Sequence, residues 1–198
     1  MFKYVNEIDE NKLLMQPLTR DNCDLVKGFS CRNEILDDFL INDAIYERGT
    51  RTYLFIYDDE GSKKILGFFS LSASGVSLIS YKEGKGVKEE EQRYNASGVE
   101  IANFALDSEF HHMYWSEISK KEGIKFYLSD FLFTKVLEYI TNDIIEVIGI
   151  TFITLYSVPE AESLYRRRKF EYFGDFMIAN NKRYLDGCIP MYIKIDDE

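Results

Sequence analysis

The run Ile124–Ile140, IKFYLSDFLFTKVLEYI, decides how this chain is read. Lys125, Ser129, Asp130, Thr134 and Glu138 fall on one helical stripe, and nearly every other position is apolar. A helix of that pattern is buried on most sides. Strand-like runs flank it. Upstream stands Val99–Leu106, VEIANFAL. Downstream, within Ile144–Leu155, stands VIGITFITL, continuous and apolar as in a central strand covered on both faces. Strand, helix and strand over residues 99–155 predict a right-handed parallel crossover.

Working outward, Leu13–Leu18 is a short apolar run that reads as an edge strand ending near Pro17. Glu34–Tyr46 has helical apolar spacing, with Gly49 after it. Arg51–Tyr57 and Ile65–Ala73 are strands joined by Asp58-Asp59-Glu60-Gly61, a hairpin. A short helix over Glu160–Arg168 sits behind Pro159. Two strands close the chain, near Phe170–Ile178 and Ile189–Ile195. The order β, α, β, β, β, α, β, α, β, β gives an α/β (mixed α+β) fold. Its central sheet is mixed and mostly antiparallel, with one parallel β-α-β crossover and helices on both faces. Residues 1–198 read as a single domain, with long excursions at 81–98, which includes Glu89-Glu90-Glu91, and at 108–119.

At 198 residues, with 45% hydrophobic and 15% aromatic positions, the chain can bury a full core, and global disorder is excluded. The balance of 24 Lys and Arg against 34 Asp and Glu gives a net charge of −10, which opposes a general nucleic-acid surface. Cys23, Cys31 and Cys188 form no metal spacing, and an odd count with no leader pattern suits reduced thiols in the cytoplasm. No apolar window reaches membrane-spanning length, so no membrane partner is expected. His111-His112 lacks completing ligands, and no metal is expected.

Several motifs, in order, resemble the GCN5-related N-acetyltransferase family, over about residues 13–195. The closest likeness is to its toxin-type branch. Phe29-Ser30-Cys31-Arg32-Asn33-Glu34-Ile35-Leu36-Asp37-Asp38-Phe39-Leu40 follows that branch's N-terminal pattern. Thr52-Tyr53 and Gly67-Phe68-Phe69-Ser70-Leu71 follow its hairpin. Ala161 to Phe170 follows its C-terminal motif, with Leu164 in place of Phe and Lys169 in place of Gly. The family transfers acetyl from acetyl-CoA to an amine, so the resemblance implies acetyl-CoA as cosubstrate and an amine-bearing acceptor. The acceptor could be a small molecule, a protein or an aminoacyl-tRNA.

Residue by residue, the family's phosphate-binding motif falls on Lys120-Lys121-Glu122-Gly123-Ile124-Lys125, with Lys125 where Gly or Ala is usual and Val158 at a later position that is often Asn. Backbone N–H groups at a helix start would point at the pyrophosphate, and Ser119 and Glu122 read as a capping box for that start. Phe104, Ala105 and Leu106 match the strand that holds the pantetheine arm. Tyr165 matches the Tyr that protonates the CoA thiolate. Glu100 matches a general-base position; on its own pattern it reads as a solvent-facing carboxylate at a strand start. His112 and Trp115 are candidates for an acceptor pocket. Arg167, within Arg166-Arg167-Arg168-Lys169, belongs either to a tRNA contact or to a solvated helix end. An antitoxin-like protein and a second copy of the chain are further partners the resemblance admits. The alternative reading is a non-catalytic binding or regulatory module with this fold.

Overall fold

The computed structural model describes residues 8–82, 90–116, 120–173 and 187–195. Its sheet has seven strands in the order β1-β2-β3-β4-β5-β7-β6. These are β1 Leu13–Pro17, β2 Thr50–Asp59, β3 Ser62–Lys82, β4 Glu90–Leu106, β5 Phe152–Ser157, β6 Glu171–Tyr172 and β7 Ile189–Lys194. The helices are α1 Glu34–Asp38, α2 Leu128–Tyr139 and α3 Glu162–Arg167. The chain divides into two compact units. One is Met1–Leu71 with Ala102–Ile144, and the other is Ser72–Ile101 with Ile145–Glu198.

In the first unit, β1 runs antiparallel to β2, from Leu13↔Tyr57 to Pro17↔Tyr53. Proline lacks a ladder N–H, so Pro17 suits this edge. Glu60 (φ 52°) and Gly61 (φ 93°) make the two-residue turn between β2 and β3. Positive φ at both positions is the type I′ geometry that matches strand twist, and the Gly61 N–H donates to Asp58 Oδ1 at 2.9 Å. Alternation then builds two layers. Leu54, Ile56, Phe68 and Ala105 pack with Phe29, Leu40 and Ala44. On the other face Phe69 stacks on Tyr53, and Phe104 meets Phe133 of α2 edge-on at 5.2 Å. Leu128, Leu132, Phe133 and Val136 are fully buried. Each such side chain stabilises the fold by roughly 1.5–3 kcal/mol.

Helix α1 starts because the Asn33 side chain accepts the Ile35 and Leu36 N–H groups. It widens into a π turn over Phe39–Asp43, and α2 does the same over Ile140–Ile144. In the second unit, β5 pairs parallel to β4, from Gly98↔Phe152 to Ile101↔Leu155. Its other edge pairs antiparallel to β7, which also carries β6. Helix α3 follows a 3₁₀ turn at Pro159–Ala161 and buries Leu164 and Tyr165.

Four boundaries differ from the sequence pattern. First, α2 begins at Leu128, not Ile124, because residues 126–128 bond to an upstream segment instead of to a preceding helical turn. The Ser119–Glu122 capping box is therefore not the start of α2: Glu122 lies in an exposed turn, and Ser119 is outside the described residues. Second, β5 begins only at Phe152. Ile145–Val147 is a helical turn, and Val147 and Ile148 are exposed, because an apolar run carries no period of its own. Third, β3 continues to Lys82 and β4 starts at Glu90, so most of the 81–98 excursion is strand. Pairing there is met by backbone groups and by contacts such as Ser77 Oγ to Asn95 Oδ1 at 2.8 Å, which polar sequence disguises. Residues 83–89 lie outside the described residues, as do 117–119 of the second excursion. Fourth, β6 is only Glu171–Tyr172, and residues 174–178 of its expected span lie outside the description.

Candidate active site

The first unit holds the residues matched to cofactor binding. Phe104, Ala105 and Leu106 are the last residues of β4, beyond the parallel ladder, whose last pair is Ile101↔Leu155. Phe104 is half-buried against Phe133, while Ala105 and Leu106 are buried. Gly67 makes this possible on the β3 side. A Cβ there would meet the Ala105 carbonyl oxygen at 2.5 Å.

The exit from β4 is tied to β3 and to the segment before α1. Asp107 is buried, and its N–H donates to the Leu66 carbonyl at 2.9 Å. Its carboxylate accepts the Ser30 N–H at 3.3 Å and the Glu109 N–H at 3.0 Å. Ser108 N–H donates to the Ser30 carbonyl at 2.8 Å. His111 Nε2 lies 3.2 Å from the Leu106 carbonyl oxygen. Lys64 pairs with Glu109 and lies over the Phe110 ring. Sequence reading passed over Asp107 and weighed His111 only as a metal ligand. The signal available was a carboxylate two residues before the Glu109 N–H, the spacing of an Asx turn.

The excursion after β4 straps across the start of α2. Trp115 N–H donates to the Phe126 carbonyl at 3.0 Å, and Leu128 N–H donates to the Met113 carbonyl at 2.8 Å. Tyr114 and Tyr127 form an antiparallel bridge. The Trp115 ring stacks on Phe131 at 3.5 Å. Trp115 is thus half-buried in packing, whereas His112 is exposed with φ 60°. The Tyr127 N–H donates to Asp130 Oδ2 at 3.1 Å, and Asp130 is buried. Two N–H groups at this helix start are therefore held by the chain's own acceptors. Lys120, Lys121, Glu122, Gly123, Ile124 and Lys125 are all exposed, and Gly123 takes φ +68° in an open turn.

The second unit holds Tyr165, Glu100 and the arginine cluster. Tyr165 is 6% exposed, with its ring 6.2 Å from Phe170. Burial, with a smaller contribution from Cys188, pushes its phenol well above the usual tyrosine range. Glu100 is half-buried opposite Thr154 in the ladder. Arg166 donates to the Phe170 carbonyl and lies over the Tyr172 ring, and Arg167 donates to Ser163 Oγ at 3.3 Å. Both arginines are exposed while making contacts within their own segment.

A cavity of about 350 Å³ opens elsewhere in the first unit, between β1, β2 and the C-terminal half of α2. Leu13, Met15, Phe55, Lys135, Glu138 and Tyr139 are among its lining residues, and none of the sequence candidates is. Its helical residues recur at positions 135, 138, 139, 142 and 143, one face of a helix, which is the trace it leaves in the sequence.

No family model matches the sequence, and no curated protein matches it. Solved structures do match. A Tyr-to-Phe mutant of the AtaT toxin is 15% identical at a TM-score of 0.63, covering 98% of this chain and 95% of that one. A Tyr-to-Phe mutant of KacT is 17% identical at 0.62, covering 92% and 95%. AtaTR bound with AcCoA is 15% identical at 0.59, covering 93% and 94%. At such identities the likeness is one of fold. The fold expected from the resemblance, that of the toxin-type N-acetyltransferases, is the fold of this chain. Among the described residues no helix is long and apolar enough to cross a membrane.

Proposed function

We propose that this chain is an acyltransferase that moves acetyl from acetyl-CoA to a primary amine. The observation that carries the reading is Tyr165. It stands at the family's tyrosine position, and burial holds its phenol in the protonated form. An acid that must give a proton to a thiolate has to keep that proton at neutral pH. The likeness in fold to a structure bound with AcCoA supports the same choice of cosubstrate.

In this reading the pantetheine arm lies along Phe104–Leu106, and a backbone N–H near Leu106 polarises the thioester carbonyl. The neutral amine attacks the carbonyl carbon, the C–S bond breaks, the sulfur takes the Tyr165 proton, and the proton shed by the new amide nitrogen returns through solvent to the Tyr165 oxygen. Glu100, half-buried on β4, accepts the proton the incoming ammonium must lose. His112 and Trp115 contribute to acceptor binding, and Arg167 supplies local positive charge toward an acceptor that includes aminoacyl-tRNA. An antitoxin-like protein, a second copy of the chain and a cytoplasmic setting belong to the same reading. The self-capped start of α2 favours a second one, a binding module with weakened affinity for CoA.

A thermal melt with acetyl-CoA separates the two. Ligand at 100 times its Kd stabilises by about 2.7 kcal/mol. The enzyme reading expects a clear upward shift, and Tyr165→Phe should keep that shift while lowering the release of free CoA thiol. A flat melt at millimolar acetyl-CoA would leave only the second reading.

A further inference from the structure

We infer that the cavity between β1, β2 and α2 is a binding site for a small organic monocation, a primary ammonium carried on an apolar, ring-bearing body. The inference does not rest on the acetyl-CoA reading, because no residue that reading uses lines this cavity. Register builds the floor. Met15 stands opposite Phe55 in the antiparallel ladder, and Leu13, two residues earlier, shares the face of Met15. Helix α2 seals its own inner face with Leu132, Phe133 and Val136, all buried. Toward edge strand β1 it presents Lys135, Glu138 and Tyr139 instead, and a space of about 350 Å³ remains there. An apolar cavity of about 150 Å³ already holds a benzene ring, and small-molecule pockets begin at about 300 Å³.

The walls set the charge of the occupant. Glu10, Glu138 and Asp143 bring three carboxylates to the lining, against the one ammonium of Lys135. That ammonium is already clamped, 2.8 Å from Glu10 Oε1 and 3.1 Å from Glu138 Oε2. An anion would have to displace a carboxylate to reach it. Among the described residues no hydrogen bond or ion pair fastens the Asp143 carboxylate. Tyr139 adds no charge: burial pushes its phenol above the usual tyrosine range, and its hydroxyl bonds that of Tyr53 at 2.8 Å. Arg51 acts on Tyr139 from outside the lining. Glu10, Glu138 and Asp143 are exposed, whereas Leu13 and Met15 are half-buried and Phe55 is fully buried. An apolar floor thus lies under a rim of net negative charge. A diamine would press its second charge against Leu13 and Phe55, where nothing offsets its desolvation. A neutral apolar molecule would leave the carboxylates unused. One ammonium on an apolar body satisfies both parts.

Carbon-13 labelling of the methionine methyl groups in the full chain tests this, since Met15 is one of five methionines and lies in the floor. Met15→Leu identifies its signal. Titration with 2-phenylethylammonium should move that signal saturably, with a Kd of about 10 mM or tighter. 2-Phenylethanol, the same body without the charge, should bind about ten-fold more weakly. Putrescine and 3-phenylpropionate should bind more weakly still. Asp143→Asn and Glu138→Gln change exposed side chains, and the second leaves Glu10 on Lys135. Each should weaken the ammonium about two- to five-fold, less at high salt, and leave 2-phenylethanol unchanged. A Met15 signal that stays still, an alcohol, diamine or carboxylate that binds as tightly as the ammonium, or an ammonium affinity that ignores both variants overturns the inference. Each of these results leaves the acetyl-CoA reading untouched.

Discussion

Substituting Gly67 by Ala should strain the strand end on which the acetyl-transfer reading depends. The added Cβ would stand 2.5 Å from the Ala105 carbonyl oxygen and 3.3 Å from Leu106 Cα. Both are backbone atoms, so no side chain can swing aside. Contacts that short force β3 and β4 apart by several tenths of an ångström. Overpacking of this kind costs about 1–3 kcal/mol. In a chain of this length each kcal/mol moves Tm by about 2–4 °C, so a drop of about 2–12 °C is expected. Gly28→Ala is the control. Nothing lies within 4 Å of its Cβ, and loss of unfolded-state freedom should leave it unchanged or stabilised by about 0.4–1 kcal/mol. Urea unfolding followed by Trp115 fluorescence suits both, because the single tryptophan stacks on Phe131 in the same unit. The expected result is a lower midpoint for Gly67→Ala with an unchanged slope. A Gly67→Ala midpoint equal to or above that of Gly28→Ala would refute the close-approach argument.

Three further outcomes follow from the same unit. Asp107→Ala removes the acceptor for two N–H groups, of Ser30 and Glu109, and should lower the urea midpoint by the equivalent of about 1–3 kcal/mol, with Asp107→Asn losing less. Burial, reinforced by Asp37, pushes the Cys31 thiol from 9.0 up to about 12. The folded state therefore favours the protonated thiol. That stabilisation is complete below pH 9.0 and is lost as pH rises toward about 12, so a Cys31→Ala chain should lack this component of alkaline unfolding. At pH 8, alkylation followed by mass spectrometry should label the half-buried Cys23 before Cys31.

The order of elements was legible because it rests on local signals. Pro17 marks an edge, Asp58 to Gly61 a tight turn, Asn33 a cap and Pro159 a helix start. Boundaries set by distant partners were not legible. Nothing between Ile124 and Tyr127 announces that Met113 and Trp115 will bond there, so the helix read four residues too long at its start. Val147 and Ile148 are as apolar as the residues of β5, yet they lie exposed. Tyr165 was found by its motif position, since one tyrosine among 14 carries little information. Asp107 was missed because its value lies in Ser30, 77 residues away.

The path of the chain through its two units has a genetic consequence. It passes from one to the other after Leu71, after Ile101 and after Ile144, and two of those passages fall inside β3 and β4. Neither unit is therefore encoded as one uninterrupted stretch. Trimming a gene from either end cannot release one unit whole, and a fusion breakpoint cannot exchange one without cutting the other. Exchange of either unit by recombination therefore needs a breakpoint at each passage, and two of those passages lie inside β3 and β4.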